Sequence, residues 1–140
     1  MSRSDVEFVE GLFAAAAGLD KQALLAALPE LIVQTCHPDI EWVEHPDLAD
    51  RHVSRGHDGV RQSWERWLEQ WGEYGFEAER FIDCGDDVLV ITREHGRGQT
   101  SGASASARIY NAFTIREGKI ARYQEFYNEQ AALEAVGLAD

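Results

Sequence analysis

The sequence of 140 residues predicts an α+β fold, a curved and mostly antiparallel sheet wrapped round helices to form a cone with one pocket. Three observations lead there. Apolar residues recur at helical spacing through the first third of the chain, whereas four strand-like runs fill residues 76–127 and a short helix closes the order. Strands gathered after helices argue for α+β with hairpins rather than alternating βα units. The third observation is the last hairpin, where Asn111 and Glu125 share a parity with Phe113, Ile115, Tyr123 and Tyr127. A sheet face mixing aromatics with an amide and a carboxylate reads as a pocket lining rather than a sealed core.

Taken in order, Ser4-Asp-Val-Glu7 has the spacing of a capping box. Val6, Val9, Phe13 and Ala16 then form an apolar stripe that Gly18 ends. Asp20 is placed to cap a second helix carrying Leu24, Leu25 and Leu28, Pro29 is expected to interrupt it, and a separate short turn follows over Glu30 to Cys36. After a break at His37-Pro-Asp39, Ile40 to His45 reads as a strand and 46–56 as a polar loop. Asp58 is expected to cap a helix with Val60, Trp64, Trp67, Leu68 and Trp71 on one face. Strands are expected over Phe76–Asp83 and from Asp87 to about Arg97, then the hairpin joined by Arg116-Glu-Gly-Lys119. Asn128 is placed to cap a final helix that Gly137 terminates.

Composition narrows the function. With 44% hydrophobic and 27% charged residues the chain is an ordinary globular protein, read as one domain over residues 1–140. A formal charge of -12 with no basic cluster argues against nucleic-acid and membrane partners, because an acidic surface repels phosphate and anionic lipid. No apolar run approaches a bilayer span, Met1-Ser-Arg-Ser-Asp5 carries no leader-like apolar segment, and Cys36 and Cys84 are expected to stay reduced; these features point to a cytoplasmic protein. Histidines at 37, 45, 52, 57 and 95 lack helical i, i+4 placement or compact-site spacing, so no metal and no cofactor is expected.

Several strings resemble the SnoaL-like branch of the nuclear-transport-factor-like (ketosteroid-isomerase-like) superfamily. They are Ile40-Glu-Trp-Val-Glu-His-Pro46, Arg55-Gly-His-Asp-Gly-Val60, Gly96-Arg-Gly98 with Ser101-Gly102, Ala112-Phe-Thr-Ile-Arg-Glu-Gly-Lys-Ile120 and Glu129-Gln-Ala-Ala-Leu-Glu-Ala-Val-Gly137. The resemblance covers essentially the whole chain and implies a cystatin-like cone; it is specific for fold and weak for activity. It places His45 where the steroid isomerases keep their general-base aspartate and Asn111 where they keep a protonated aspartate. Their oxyanion tyrosine falls near Leu12, with no tyrosine nearby. Steroid isomerisation is therefore not implied.

Strand parity supplies the candidate site. Facing the helices would be Glu41, Val43 and His45; Leu89, Ile91, Arg93 and His95; Ile109, Asn111, Phe113 and Ile115; and Tyr123, Glu125 and Tyr127. His45, His95 and Asn111 are the candidate catalytic residues: a histidine base, a second acid–base group and an amide that polarises a developing oxyanion. Glu41, Trp64, Trp67, Arg93, Phe113, Tyr123, Glu125 and Tyr127 are candidate substrate-binding residues, Arg93 being equally able to pair with Glu125 or Glu41. The opposite parity (Trp42, Val88, Val90, Tyr110, Phe126) is also apolar, so a homodimer packed sheet to sheet is expected. The leading functional expectation is a cofactor-independent isomerase, cyclase or lyase acting on a hydrophobic carbonyl compound. The alternatives are a non-catalytic small-molecule binder or accessory protein and, last, an epoxide hydrolase.

Overall fold

Glu117 and Gly118 take φ of 56° and 75°, two successive left-handed residues that a tight hairpin turn requires. That turn joins β5 (Ser104–Arg116) to β6 (Lys119–Phe126) and sets their register, with Phe113 opposite Tyr123 and Asn111 opposite Glu125. The computed structural model describes the backbone of residues 2–44 and 52–138, and side chains of 4–44 and 53–138. Its remaining elements are α1 (Ser2–Ala16), α2 (Lys21–Thr35), β1 (Cys36–Glu44), β2 (His52–Arg55), α3 (Gly56–Glu69), β3 (Trp71–Asp83), β4 (Asp87–Gly98) and α4 (Glu129–Ala135).

The strands form one curved, unclosed sheet in the order β2-β1-β6-β5-β4-β3. Only the β1–β6 pair is parallel among the described ladders. One face packs on α1, α2 and α3: Val9, Leu24, Leu28, Ile32, Val60 and Leu68 meet Val88, Val90, Phe113, Ile120 and Tyr123. Phe13 is central, with edge-on contacts to Phe76, Phe81 and Phe113 at centroid distances of 5.8, 5.8 and 5.9 Å. On the other face α4 sets fully buried Ala132 against Leu89, Tyr110, Ala112 and Phe126. No described helix is long and apolar enough to cross a membrane.

The expected caps at Asp20 and Asn128 form: their carboxylate and amide oxygens accept from Ala23 N and Ala131 N, each at 2.8 Å. Other expectations need correction. α1 begins at Ser2, so Ser4 lies inside its first turn rather than at its cap. α2 runs through Pro29 without a break. A proline removes one backbone donor, and the stripe Leu24, Leu28, Ile32 is buried continuously on both sides of it, which holds the helix together. α3 starts at Gly56, leaving Asp58 in its first turn instead of at its cap. β2 forms within the expected 46–56 loop because its backbone completes the β1 edge, a tertiary pairing its polar sequence does not announce.

The expected apolar outer face forms only in part. Val88, Val90 and Trp42 pack with the inner core, and Tyr110 and Phe126 lie in the cluster that α4 joins. Beside that α4-covered cluster the outer face carries ion pairs, Glu79 with Arg93 and Arg108 and Glu41 with Arg55 and Arg122.

Candidate functional site

Directly opposed residues of an antiparallel pair share a face, so the register around Asn111 decides what surrounds it. Asn111 faces Val90 on β4 and Glu125 on β6. The inner residues of β4 are consequently Val88, Val90, Thr92 and Glu94, the even set. Those of β1 reach inward through Trp42 and Glu44. Together with α1, α2 and α3 these strands enclose a cavity of about 130 Å³. Its walls are mostly apolar, and Trp42, Trp64, Trp67, Tyr74, Phe76 and Tyr123 make up its aromatic part.

The aromatic wall is tightly interlocked. Trp42 stacks on Tyr123 with centroids 4.0 Å apart and planes at 26°. Trp67 meets Tyr74 edge-on at 6.0 Å, and Trp64 meets it edge-on at 6.4 Å. Gly96 makes this possible beside β3: a Cβ there would stand 2.6 Å from the Trp71 ring.

Against this wall a polar chain crosses four strands, β3 to β6. Tyr74 Oη donates to Glu94 Oε1 at 2.6 Å, and Thr92 Oγ1 to Glu94 Oε2 at 3.3 Å. Asn111 Nδ2 donates to Thr92 Oγ1 at 3.1 Å and to the Val90 carbonyl at 3.0 Å, with the Ile109 carbonyl at 3.4 Å. Tyr123 Oη donates to Asn111 Oδ1 at 2.6 Å and lies 3.5 Å from Glu125 Oε2. On the β1 side Ser63 Oγ, from the middle of α3, donates to Glu44 Oε1. Three carboxyl groups thus line one cavity, and the described lining residues include no lysine, arginine or histidine.

This arrangement changes proton affinities. Burial pushes Glu94's carboxyl above the usual carboxylate range; the Tyr74 hydrogen bond opposes that shift and the nearby Glu125 charge adds to it. Burial and the Glu94 charge raise Tyr74, and burial with the Glu125 charge raises Tyr123, so both phenols stay protonated as donors. Cys36 borders the cavity, but burial pushes its thiol up to about 11, which leaves little thiolate near neutral pH.

The expected site residues divide accordingly. Asn111, Phe113, Tyr123, Glu125, Trp64 and Trp67 line the cavity. His45 lies outside the described residues. Asn111's amide hydrogens are already engaged by Val90, Thr92 and Ile109, so it anchors Tyr123 instead of offering an N–H to a ligand. Glu41 faces outward, paired with Arg55 and Arg122 at the edge of the sheet. Arg93 faces outward too and pairs with Glu79, not with Glu125. His95 is exposed on the same outer side, its ring packed on Gly75, where a Cβ would come within 2.6 Å of it. Tyr127 is 43% exposed, and its hydroxyl donates to Glu125 Oε1 at 3.0 Å.

Glu44, Glu94, Tyr74, Thr92 and Ser63 are functional candidates that parity reading missed. Glu94 had one available signal: it is the only acid within Thr92-Arg-Glu-His95, and Asn111 opposite Val90 puts it inside.

Comparison with known proteins accords with this geometry. The SnoaL-like domain profile matches residues 5–123. An NTF2-like protein from Burkholderia thailandensis superposes with a TM-score of 0.71 at 24% identity, covering 95% of each chain. A putative SnoaL-like polyketide cyclase from Jannaschia sp. CCS1 superposes with a TM-score of 0.70 at 17% identity, over 96% of this chain and 92% of that one. TerC, crystallised with polyporic acid, superposes with a TM-score of 0.62 at 23% identity, over 81% of this chain and 92% of its own. No curated protein matches the sequence. Profile, strand order and helix-backed cavity agree: the chain belongs to the SnoaL-like family.

Proposed function

We propose that this SnoaL-like protein is a cofactor-independent acid–base catalyst, of the isomerase, cyclase or lyase kind, acting on a hydrophobic carbonyl compound. The observation that carries the reading is Glu94, a carboxyl group raised by burial and held by Tyr74 and Thr92 at an aromatic cavity. A carboxylic acid that keeps its proton toward neutral pH can donate to a carbonyl oxygen as charge develops there. Glu44 or Glu125, at the same cavity, supplies the carboxylate that takes a proton from carbon. The apolar walls exclude water and strengthen both interactions. Structural neighbours described as a putative polyketide cyclase and as a polyporic acid complex support an aromatic or polyketide-like carbonyl ligand.

Turnover of a panel of β-keto and polyketide-like compounds tests the reading, with Glu94→Gln compared against the parent. Loss of turnover in a variant that keeps the parental melting temperature is expected. Equal rates would remove Glu94 from the mechanism.

A non-catalytic binding or accessory role is the second reading, and one observation favours it. Glu44 and Glu94 already accept hydrogen bonds from protein hydroxyls, as structural groups do. Ligand-induced thermal stabilisation without conversion of any compound would select it. Epoxide hydrolysis is disfavoured because Arg93 stands on the other face of the sheet. A homodimer through the outer sheet face is part of the proposal, and a stable monomer by sedimentation at micromolar protein would refute it.

A further inference from the structure

The volume of the cavity bounds its ligand more tightly than the reaction class does. That volume is about 130 Å³. Pockets for drug-sized ligands run to about 300–1,000 Å³, whereas an apolar cavity of about 150 Å³ takes a single benzene ring. On that scale the space between the sheet and α1, α2 and α3 holds one ring with a short substituent. It does not hold a fused-ring system.

The walls are built to keep that size. Trp42 stacks on Tyr123 at 4.0 Å, and Phe113 backs the same phenol at 5.1 Å. Trp64, from α3, is wedged between Trp42 on β1 and Tyr74 and Phe76 on β3, with centroids 6.3, 6.4 and 6.4 Å away. Two of these rings are also tethered by their hydroxyls, Tyr123 to Asn111 and Tyr74 to Glu94, each at 2.6 Å. Moving one ring therefore means moving its neighbours or breaking a buried hydrogen bond, and a close-packed interior resists added volume. A second fused ring would have to displace Trp64 or open the Trp42–Tyr123 stack.

We infer that this cavity selects its ligand by size, admitting a single-ring compound and excluding fused-ring ones. The inference rests on the pocket reading above and narrows its substrate class to monocyclic carbonyl compounds.

Isothermal titration of the full chain with acetophenone, 2-acetylnaphthalene and 2-acetylanthracene tests it, because the three share one acetyl group and differ only in fused rings. An unselective apolar surface would bind them in rising order, since each ring adds buried apolar area. Acetophenone is expected to bind about tenfold more tightly than 2-acetylnaphthalene, the scale of an overpacked interior, and 2-acetylanthracene not at all. Trp64→Ala is expected to raise the affinity for 2-acetylnaphthalene to at least that for acetophenone. Because the order in the parent protein is decisive by itself, a variant that failed to fold would not rescue the idea. Equal or tighter binding of either larger ketone by the parent overturns it, an outcome that leaves the carbonyl reading standing. Cumene, with a methyl group in place of the acetyl oxygen, probes that reading separately. Cumene binding as tightly as acetophenone would overturn the carbonyl reading, with the ring order still deciding the size limit. Binding of none of the four would overturn both.

Discussion

Glu79 and Glu94 belong to neighbouring strands of one sheet but lie in opposite chemical settings. Glu79 stands on the outer face, where the Arg108 hydrogen bond, with Arg93 adding to it, holds its carboxyl below the usual range. Glu94 stands on the inner face among aromatic rings, with hydroxyls for partners and a proton affinity raised by burial. The outer carboxylate is tied up in a solvated ion pair of the kind that contributes little. The inner one is tuned. The difference shows that identity and strand position alone do not make an acid functional; the face of the sheet does, through the dielectric and the partners it supplies.

The largest expected effect that would sharpen this contrast lies in turnover. Glu94→Gln should lower it by roughly a hundredfold to ten-thousandfold, the range lost when a general acid is removed. Glu79→Gln should leave it within about twofold, since surface pairs couple weakly to distant chemistry. Next comes the support of the inner face. Tyr123→Phe strands the buried Asn111 Oδ1 without its 2.6 Å donor and should cost about 1–3 kcal/mol by urea denaturation. Gly96→Ala drives a methyl into Trp71 and should cost about 1–3 kcal/mol as overpacking.

The pH dependence of stability follows from the sign of the shift. Glu94's folded pKa is raised, so its contribution is fully present below the unfolded carboxylate pKa and is lost as pH rises through the folded value. Over that interval the parent should lose more stability than Glu94→Gln. Smallest of all, Arg93→Ala should change stability by about 0.5 kcal/mol or less, because its pair with Glu79 is exposed. A large loss there would break the comparison.

The same two faces explain what was legible in the sequence. In the last hairpin the turn fixes the register, so Asn111, Phe113, Tyr123 and Glu125 could be assigned to one face from residues alone. The helix stripe likewise placed Trp64 and Trp67 at the cavity. β4 could not be read this way. Val88-Leu-Val-Ile-Thr-Arg-Glu-His95 passes from apolar to polar on both parities, so either set fits a pocket. Only the pairing of Val90 with Asn111 selects Thr92 and Glu94. β1 has the same ambiguity, with one acid and one apolar residue on each parity of Glu41-Trp-Val-Glu44. β2 was unreadable because its order comes from the neighbouring strand.

A carboxyl-carbon NMR titration resolving Glu94 from Glu79 tests the central claim most directly. The account predicts that Glu94 titrates above the ordinary carboxylate range and Glu79 below it, with Glu94 moving down when Glu125 is replaced by glutamine. Coincident titration of the two groups, or the reverse order, would contradict it.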